Sequence, residues 1–485
     1  MLDIKILFRA IGSLFLVETG MFLVCLIMSL CYHETDTLAF LYSSLIAFVL
    51  GLTLKYAGRN SKNSLSKRDA FLIVTLTWII FSLMGTLPLL LTGTCTNISD
   101  AFLENMSGFT TTGVTILSNI DSLPHGILFW RSLTQWIGGL GIIFFTIAIL
   151  SNGGESNIRL FSAEATGPTH EKLHPRISTT AKWMISLYFL LTTSCAICLW
   201  IAGMNVFDSI NHAMSTTATG GFSTHSEGIM FYHSSAIEYV EIVFMFFSGI
   251  NFPLMYLILK RKSIKMLIKN NEFNFYLFTV LAVSAIAAIA LILYSKYPIE
   301  KAIRAALFNV ISVQTTTGFV SENFSLWWRP FWIFLFFSML SGSCAGSTSG
   351  GIKCIRMLTL VKTAIKHFRQ MLHPNALILV RIDHNTVTED SERSLLAFIF
   401  WYITLISAGT FALSAMNVSI FDSINIITSC ISNIGAIDGN IYSPVTNIST
   451  LPTLSKWVCS FIMLAGRLEI FPILLPLLPT FWKNN

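Results

Sequence analysis

Four short polar segments, each ending in glycine, recur through an otherwise apolar chain. They are Thr110-Thr111-Thr112-Gly113, Thr217-Ala218-Thr219-Gly220, Thr315-Thr316-Thr317-Gly318 and the weaker Ser432-Asn433-Ile434-Gly435. Their glycines stand 107, 98 and 117 residues apart, which is a domain-sized period. One such segment is common by chance. Four at this spacing predict a single object, a ring of backbone segments around an axis. Oxygens facing that axis can replace the water shell of a dehydrated cation. Glycine permits the positive φ that turns successive carbonyls the same way.

The surroundings of these segments define the fold class. The 485 residues are 53% hydrophobic and 12% charged, against about 25% charged in a soluble domain. Runs of ~20 apolar residues mark membrane helices. They fall near 11–31, 38–57, 70–92, 127–150, 183–203, 236–259, 273–295, 330–360 (interrupted), 395–415 and 456–480. An even count of ten places both termini on one side. Segments 1–10, 55–69, 151–182, 260–272, 353–393 and 481–485 carry 24 of the 31 Lys and Arg residues, whereas 32–37, 93–126, 204–235 and 416–455 carry none. Only 296–329 breaks the pattern, with Lys296, Lys301, Arg304 and Arg329, and by the positive-inside rule both termini are predicted cytoplasmic. The net charge of +6 is thus explained by topology, and no nucleic-acid partner is implied. The Cys195-x-x-Cys198 pair has no companion ligands, so core packing is the better reading.

Each glycine segment lies in an outer connection and follows a short, moderately apolar stretch: 100–109, 207–216, 302–314 and 421–431. These stretches are too short to span. They predict half-helices that descend from outside and return as extended backbone. Asp100, Asp208 and Asp422, each seven residues before a serine, suit helix N-caps. The expected architecture is an all-α polytopic membrane protein with four helix–pore-loop–helix repeats in pseudo-fourfold arrangement around one pore. Two extra N-terminal helices (1–69) precede repeats at 70–150, 151–260, 261–393 (with an interrupted second helix and a cytoplasmic loop) and 394–485. Four half-helices aimed inward present negative ends to the centre, which favours a cation.

SGFTTTG (107–113), STTATGGFSTH (215–225), SVQTTTGF (312–319), GSTSGGIK (346–353), SNIG (432–435) and GRLEIF (466–471) resemble the TrkH family. These are the membrane subunits of Trk potassium uptake systems, in a superfamily with Ktr subunits and plant high-affinity potassium transporters. The resemblance covers essentially the whole chain. One departure is Ala436, where the family usually has proline. The resemblance implies a potassium transporter of the inner membrane that conducts the ion down its electrochemical gradient. It also implies a homodimer with one pore per protomer, and a cytosolic ring of nucleotide-binding regulatory subunits. The chain has no dinucleotide fingerprint of its own. No cofactor is expected, and potassium is the transported ion.

On this reading main-chain oxygens of Thr111, Thr112, Ala218, Thr219, Thr316, Thr317, Asn433 and Ile434 bind the ion, and Gly113, Gly220, Gly318 and Gly435 set the geometry. Helix capping by the threonines is the alternative. Ser341–Gly351 has eleven small residues, among them Gly342, Gly346, Gly350 and Gly351. It cannot hold a helix against lipid, and it is read as a flexible gate below the filter or as a packing kink. Arg467, read as lying mid-way along the last helix, faces the pore or forms an ion pair with Glu469 or another acid. Lys353 marks the membrane boundary. Glu104, Asn105 and Glu322 either concentrate cations at the entrance or cap loops, and His212 and His225 suit hydrogen bonding. The basic segments 260–272 and 353–393 serve regulator docking, topology or anionic membrane lipids.

A proton- or sodium-coupled symporter is the rival function. Only Glu18 and Glu469 stand clearly mid-span as acids, which favours uncoupled conduction. An enzyme would need His, Asp or nucleophiles clustered at one depth, and the sequence offers no such cluster.

Overall fold

The computed structural model describes residues 4–59, 67–151, 177–322, 327–376, 378–383, 385–435 and 448–482. Ala436 lies outside them. Among the described residues the regular elements are helices apart from one antiparallel β-hairpin of two-residue strands, Arg381–Ile382 with Asn385–Thr386. Among the described residues six helices are long and apolar enough to cross a membrane by length and composition.

An antiparallel helix pair, Ile4–Tyr32 and Thr37–Ala57, precedes four repeats of one plan. The half-helices are Ile98–Phe109, Val206–Ala218, Ile299–Gln314 and Ile420–Ser432. The helix after each half-helix packs on the half-helix of the next repeat. His125–Ser151 packs on the second half-helix, Ser235–Ser248 on the third, Phe331–Ser341 on the fourth, and Thr453–Arg467 returns to the first. This cyclic order closes a pseudo-fourfold bundle.

Polarity is inverted relative to a soluble fold. Phe411, Leu293 and Phe278 are exposed on the outer helices, while the threonines of the glycine segments are buried. Apolar surface faces outward and polar backbone faces protein, the arrangement a bilayer requires.

Three expectations need correction. The aspartates are not N-caps. Asn97, Asn205 and Ser419 hold that position, and Asp100, Asp208 and Asp422 follow three residues later in the first turn. Asn205 accepts the Asp208 N–H at 2.7 Å and Ser419 accepts that of Asp422 at 3.1 Å. The Asn205 and Ser419 side chains also donate to the Asp208 and Asp422 carboxylates, so cap and aspartate brace each other. The span near 236–259 is not one helix. Ser235–Ser248 and Phe252–Arg261 meet at a 95° bend, because Asn251 caps the second piece and Pro253 opens it. The last span also breaks: its helix stops at Arg467, and Glu469 and Ile470 take positive φ before Pro472.

Candidate functional site: four glycine turns, a tethered loop and Arg467

Every half-helix ends in the same turn. Five residues past a serine, an N–H returns to that serine's carbonyl: Thr112 to Ser107 (2.8 Å), Gly220 to Ser215 (2.9 Å), Thr317 to Ser312 (2.9 Å) and Ile434 to Ser429 (3.1 Å). The residue before this donor is left-handed in all four copies: Thr111, Thr219, Thr316 and Asn433 have φ between 52° and 58°. The residue after it is a left-handed glycine: Gly113, Gly221, Gly318 and Gly435, with φ between 80° and 84°. Residues other than glycine rarely adopt positive φ, and four threonine- or asparagine-borne examples at one position constitute a built feature.

This geometry corrects the register of the second copy. The counterpart of Gly113 is Gly221, Gly220 matches Thr112, Thr219 matches Thr111 and Ala218 matches Thr110. The pattern Thr-x-Thr-Gly is one residue out of step there.

The turns touch one another in series, the fourth against the first, the first against the second and the second against the third. A β-carbon on Gly113 would collide with the carbonyl oxygen of Gly220, one on Gly221 with that of Thr317, and one on Gly435 with that of Thr112. The fourth copy also reaches the first through the Asn433 amide, which donates to Thr112 Oγ1 at 2.9 Å. Thr111, Thr112, Ala218, Thr219, Thr316, Thr317, Asn433 and Ile434 are all buried. The half-helices end where the turns begin, so their negative ends converge on them.

A polar residue three positions before the serine holds the returning strand in three repeats. Glu104 accepts from the Ile116 N–H (2.9 Å) and from Thr115 Oγ1 (2.9 Å). His212 Nε2 meets Ser223 Oγ (3.0 Å), and Asn309 accepts the Ser321 N–H (3.2 Å). The fourth repeat has Ile426 there. Glu104 is therefore a buried strut, further paired with Arg131 at 2.9 Å, and not an exposed cation trap. Asn105 donates to the Ser82 carbonyl (2.7 Å), and Glu322 pairs with Lys301 (2.9 Å). His225 bridges Asp121 (2.8 Å) and Asp208 (3.1 Å), the latter in the first turn of the second half-helix. Burial alone would lower its pKa, but the hydrogen bonds and charges of those two carboxylates outweigh this and raise it.

The glycine-rich segment runs between Phe331–Ser341 and Cys354–Leu372. Gly342, Gly346 and Gly351 have positive φ, and a β-carbon on Gly350 would strike the Ser432 carbonyl. The segment is bound to its surroundings on several sides. Thr348 Oγ1 donates to the Thr217 carbonyl (3.0 Å), and the Gly350 N–H donates to Thr316 Oγ1 (2.7 Å). It thus lies against the turns of the second, third and fourth repeats. Asn251, at the bend, donates to the Ala345 carbonyl (2.6 Å), and Glu272 accepts the Ala345 N–H (2.6 Å). Lys353 does not mark a boundary: it is buried and its ammonium donates to the Ser349 carbonyl.

Arg467 is buried and donates to the carbonyls of Thr348 (2.8 Å) and Gly138 (2.9 Å). Glu469 pairs instead with Arg356 at 2.7 Å. Three residues escaped the sequence reading: Asn251, Glu272 and Glu241, whose buried carboxylate accepts from Thr216 Oγ1 at 2.7 Å. The Gly249-x-Asn251-x-Pro253 pattern was the available signal for the first.

The family model described as "TrkH: Cation transport protein" matches residues 37–480. The chain belongs to the TrkH family. It is 34% identical over 481 residues to the Trk system potassium uptake protein TrkH of Escherichia coli K12, covering 98% of this chain and 99% of that one. It is 33% identical over 485 residues to the TrkH of Halomonas elongata, covering 100% of both chains. The crystal structure of the potassium transporter TrkH from Vibrio parahaemolyticus superposes with a TM-score of 0.92 at 31% identity, covering 99% of this chain and 100% of that chain. TrkH-family members are transport proteins, and this chain is a transporter and not an enzyme.

Proposed function

We propose that the chain is a potassium uptake transporter of the cell inner membrane, with both termini cytoplasmic, which conducts K+ through the ring of four glycine turns. The observation that carries this reading is the series of contacts that joins turn four to turn one, turn one to turn two and turn two to turn three, each turn with paired left-handed residues. Main-chain oxygens of 111–112, 218–220, 316–317 and 433–434 replace water around the ion. Gly113, Gly221, Gly318 and Gly435 hold the spacing. Each repeat contributes one such turn, so few oxygen rings stack, and discrimination against sodium is correspondingly limited.

The segment containing Gly342, Gly346, Gly350 and Gly351 is the gate, and Arg467 latches it. The contacts to Thr217 and Thr316 support a closed state in which it underlies the ring. A guanidinium beside the pathway also repels cations. Opening requires those bonds and the Thr348–Arg467 bond to be exchanged.

The protein works as a homodimer, with a cytosolic nucleotide-binding ring as regulator. The word "system" in its relatives' names speaks for further components. The basic helix Cys354–Leu372, joined directly to the gate segment, offers the regulator a mechanical handle. Coupled symport is the less favoured reading: Glu469 is engaged by Arg356, Glu272 by the Ala345 N–H and Glu241 by Thr216, and Glu18 stands on the N-terminal pair outside the repeats.

The test is ion flux through purified protein in liposomes at fixed voltage. Potassium flux well above sodium flux is expected, and equal fluxes would overturn the proposal.

A further inference from the structure

We infer that Gln135 is a positioning residue for the second glycine turn, supplied by the repeat before it. This inference rests on the reading of that turn as part of a potassium-selective ring.

The turns are braced in different ways. In the first, Thr110 Oγ1 meets Thr112 Oγ1 at 2.7 Å and donates to the Met106 carbonyl at 2.7 Å. The third repeats this arrangement, with Thr315 and Thr317 at 2.8 Å and the Ile311 carbonyl at 2.7 Å. A chain of hydroxyls thus ties the residue before each glycine to the last turn of its own half-helix. The second copy has Ala218 and Gly220 at these two places, so it has no hydroxyl to make the chain.

Gln135 fills the gap from outside. It lies on His125–Ser151, the second helix of repeat one, and is fully buried. Its amide nitrogen donates to the Gly220 carbonyl at 2.7 Å. Its amide oxygen accepts from Ser215 Oγ at 2.7 Å and from the Phe222 N–H at 3.2 Å. A backbone acceptor faces the nitrogen and a backbone donor faces the oxygen, so the amide has one orientation. One side chain therefore joins the end of the half-helix, the middle of the turn and the returning strand.

The same contact explains why residue 220 is glycine. Its φ is not positive, so the backbone does not demand glycine. A β-carbon there would instead overlap the Gln135 amide. Gly220 and Gln135 are a matched pair: the missing side chain of one is the volume of the other. Gln135 also stands one helical turn before Gly138, whose carbonyl accepts from Arg467. The latch and the second turn are therefore attached to the same stretch of helix.

The test is the potassium-to-sodium permeability ratio, read as a reversal potential under bi-ionic conditions with the full-length protein in liposomes. Reversal potential is independent of how much protein inserts. Gln135→Leu keeps the bulk and removes all three hydrogen bonds, and the ratio is expected to fall roughly tenfold, since a buried carbonyl loses its donor. Gln135→Glu donates to Gly220 only when protonated, so its ratio varies with pH while that of Gln135→Leu does not. Gly220→Ala pushes the amide away and lowers the ratio as Gln135→Leu does.

Thermal unfolding in detergent separates positioning from mere packing. In wild type potassium is expected to raise Tm more than sodium does. Gln135→Leu is expected to lose that difference, whereas a packing role lowers Tm equally in both salts. A Q135L protein with wild-type reversal potential and wild-type ion-dependent Tm overturns the inference. A wild-type protein that fails to distinguish the two ions overturns the underlying functional reading instead.

Discussion

Arg467 donates through Nη1 to the carbonyl of Thr348, 2.8 Å away, in the middle of the glycine-rich segment. A charged group at the end of one repeat's helix thereby holds the loop of another. Its second bond, to Gly138 in repeat one, makes Arg467 a bridge between three repeats. Charge-assisted hydrogen bonds of this kind contribute about 1.5–3 kcal/mol each.

Removing the bridge should loosen the gate. Arg467→Ala is expected to raise unstimulated potassium flux by about ten- to a hundredfold, the range that 1.4–3 kcal/mol corresponds to. The potassium-to-sodium ratio should stay near wild type, because the hydrogen bonds of Arg467 go to Thr348 and Gly138 and not to the four glycine turns. Flux assays in liposomes, with the ratio measured on the same preparation, check both halves. Deleting several residues within 342–350 should raise flux in the same way.

Substitution of the ring glycines should act on selectivity. Gly113→Ser and Gly221→Ser each place a side chain at positive φ and against a neighbouring carbonyl. Strain of about 1–3 kcal/mol per site follows, relieved by moving that carbonyl. The permeability ratio should fall for both variants, and unaltered ratios at normal expression would count against the register that makes Gly221 the counterpart of Gly113.

Glu104 and Arg131 form a buried pair with side chains 1% and 2% exposed. Deleting one partner leaves a charge uncompensated, which costs about 3–5 kcal/mol. Glu104→Ala should lower the unfolding temperature markedly. Glu104→Gln should lose less, because it still accepts from Ile116 and Thr115. A mild effect of Glu104→Ala would contradict the strut.

The His225 bridge gives a pH dependence. Its pKa is raised by Asp208 and Asp121 against the opposing effect of burial. The stabilisation is complete below the ordinary histidine value of about 6.5 and is lost as pH rises through the elevated value. At the acid end both carboxylates titrate below their usual range: His225 and neighbouring hydrogen bonds more than offset desolvation, so the bridge survives mild acidification. Thermal unfolding across pH, compared with His225→Gln, should show the alkaline loss in wild type alone.

The fold was legible in the sequence where a pattern repeated. The four glycine segments, the short apolar stretches before them and the basic segments are each local, and their recurrence ordered the repeats. The second turn misled because Gly220 and Gly221 are adjacent, and Thr-Ala-Thr-Gly resembles Thr-Thr-Thr-Gly. The steadier signal was the six-residue step from Ser107, Ser215, Ser312 and Ser429 to Gly113, Gly221, Gly318 and Gly435. The partners of Arg467 and Gln135 were not legible. Both bond to backbone carbonyls far along the chain, and a carbonyl leaves no mark on residue identity. The breaks at Asn251 and Ile470 were hidden by hydropathy, which stays high through a bend that protein contacts keep satisfied.

The most direct test of the central claim is the reversal potential of purified wild-type protein in liposomes as the potassium, sodium and proton gradients are varied in turn. The expected potential follows the potassium gradient, moves less with sodium and ignores pH. A potential that weights sodium equally would contradict a ring of backbone oxygens fitted to potassium, and one that shifts with pH would contradict uncoupled conduction.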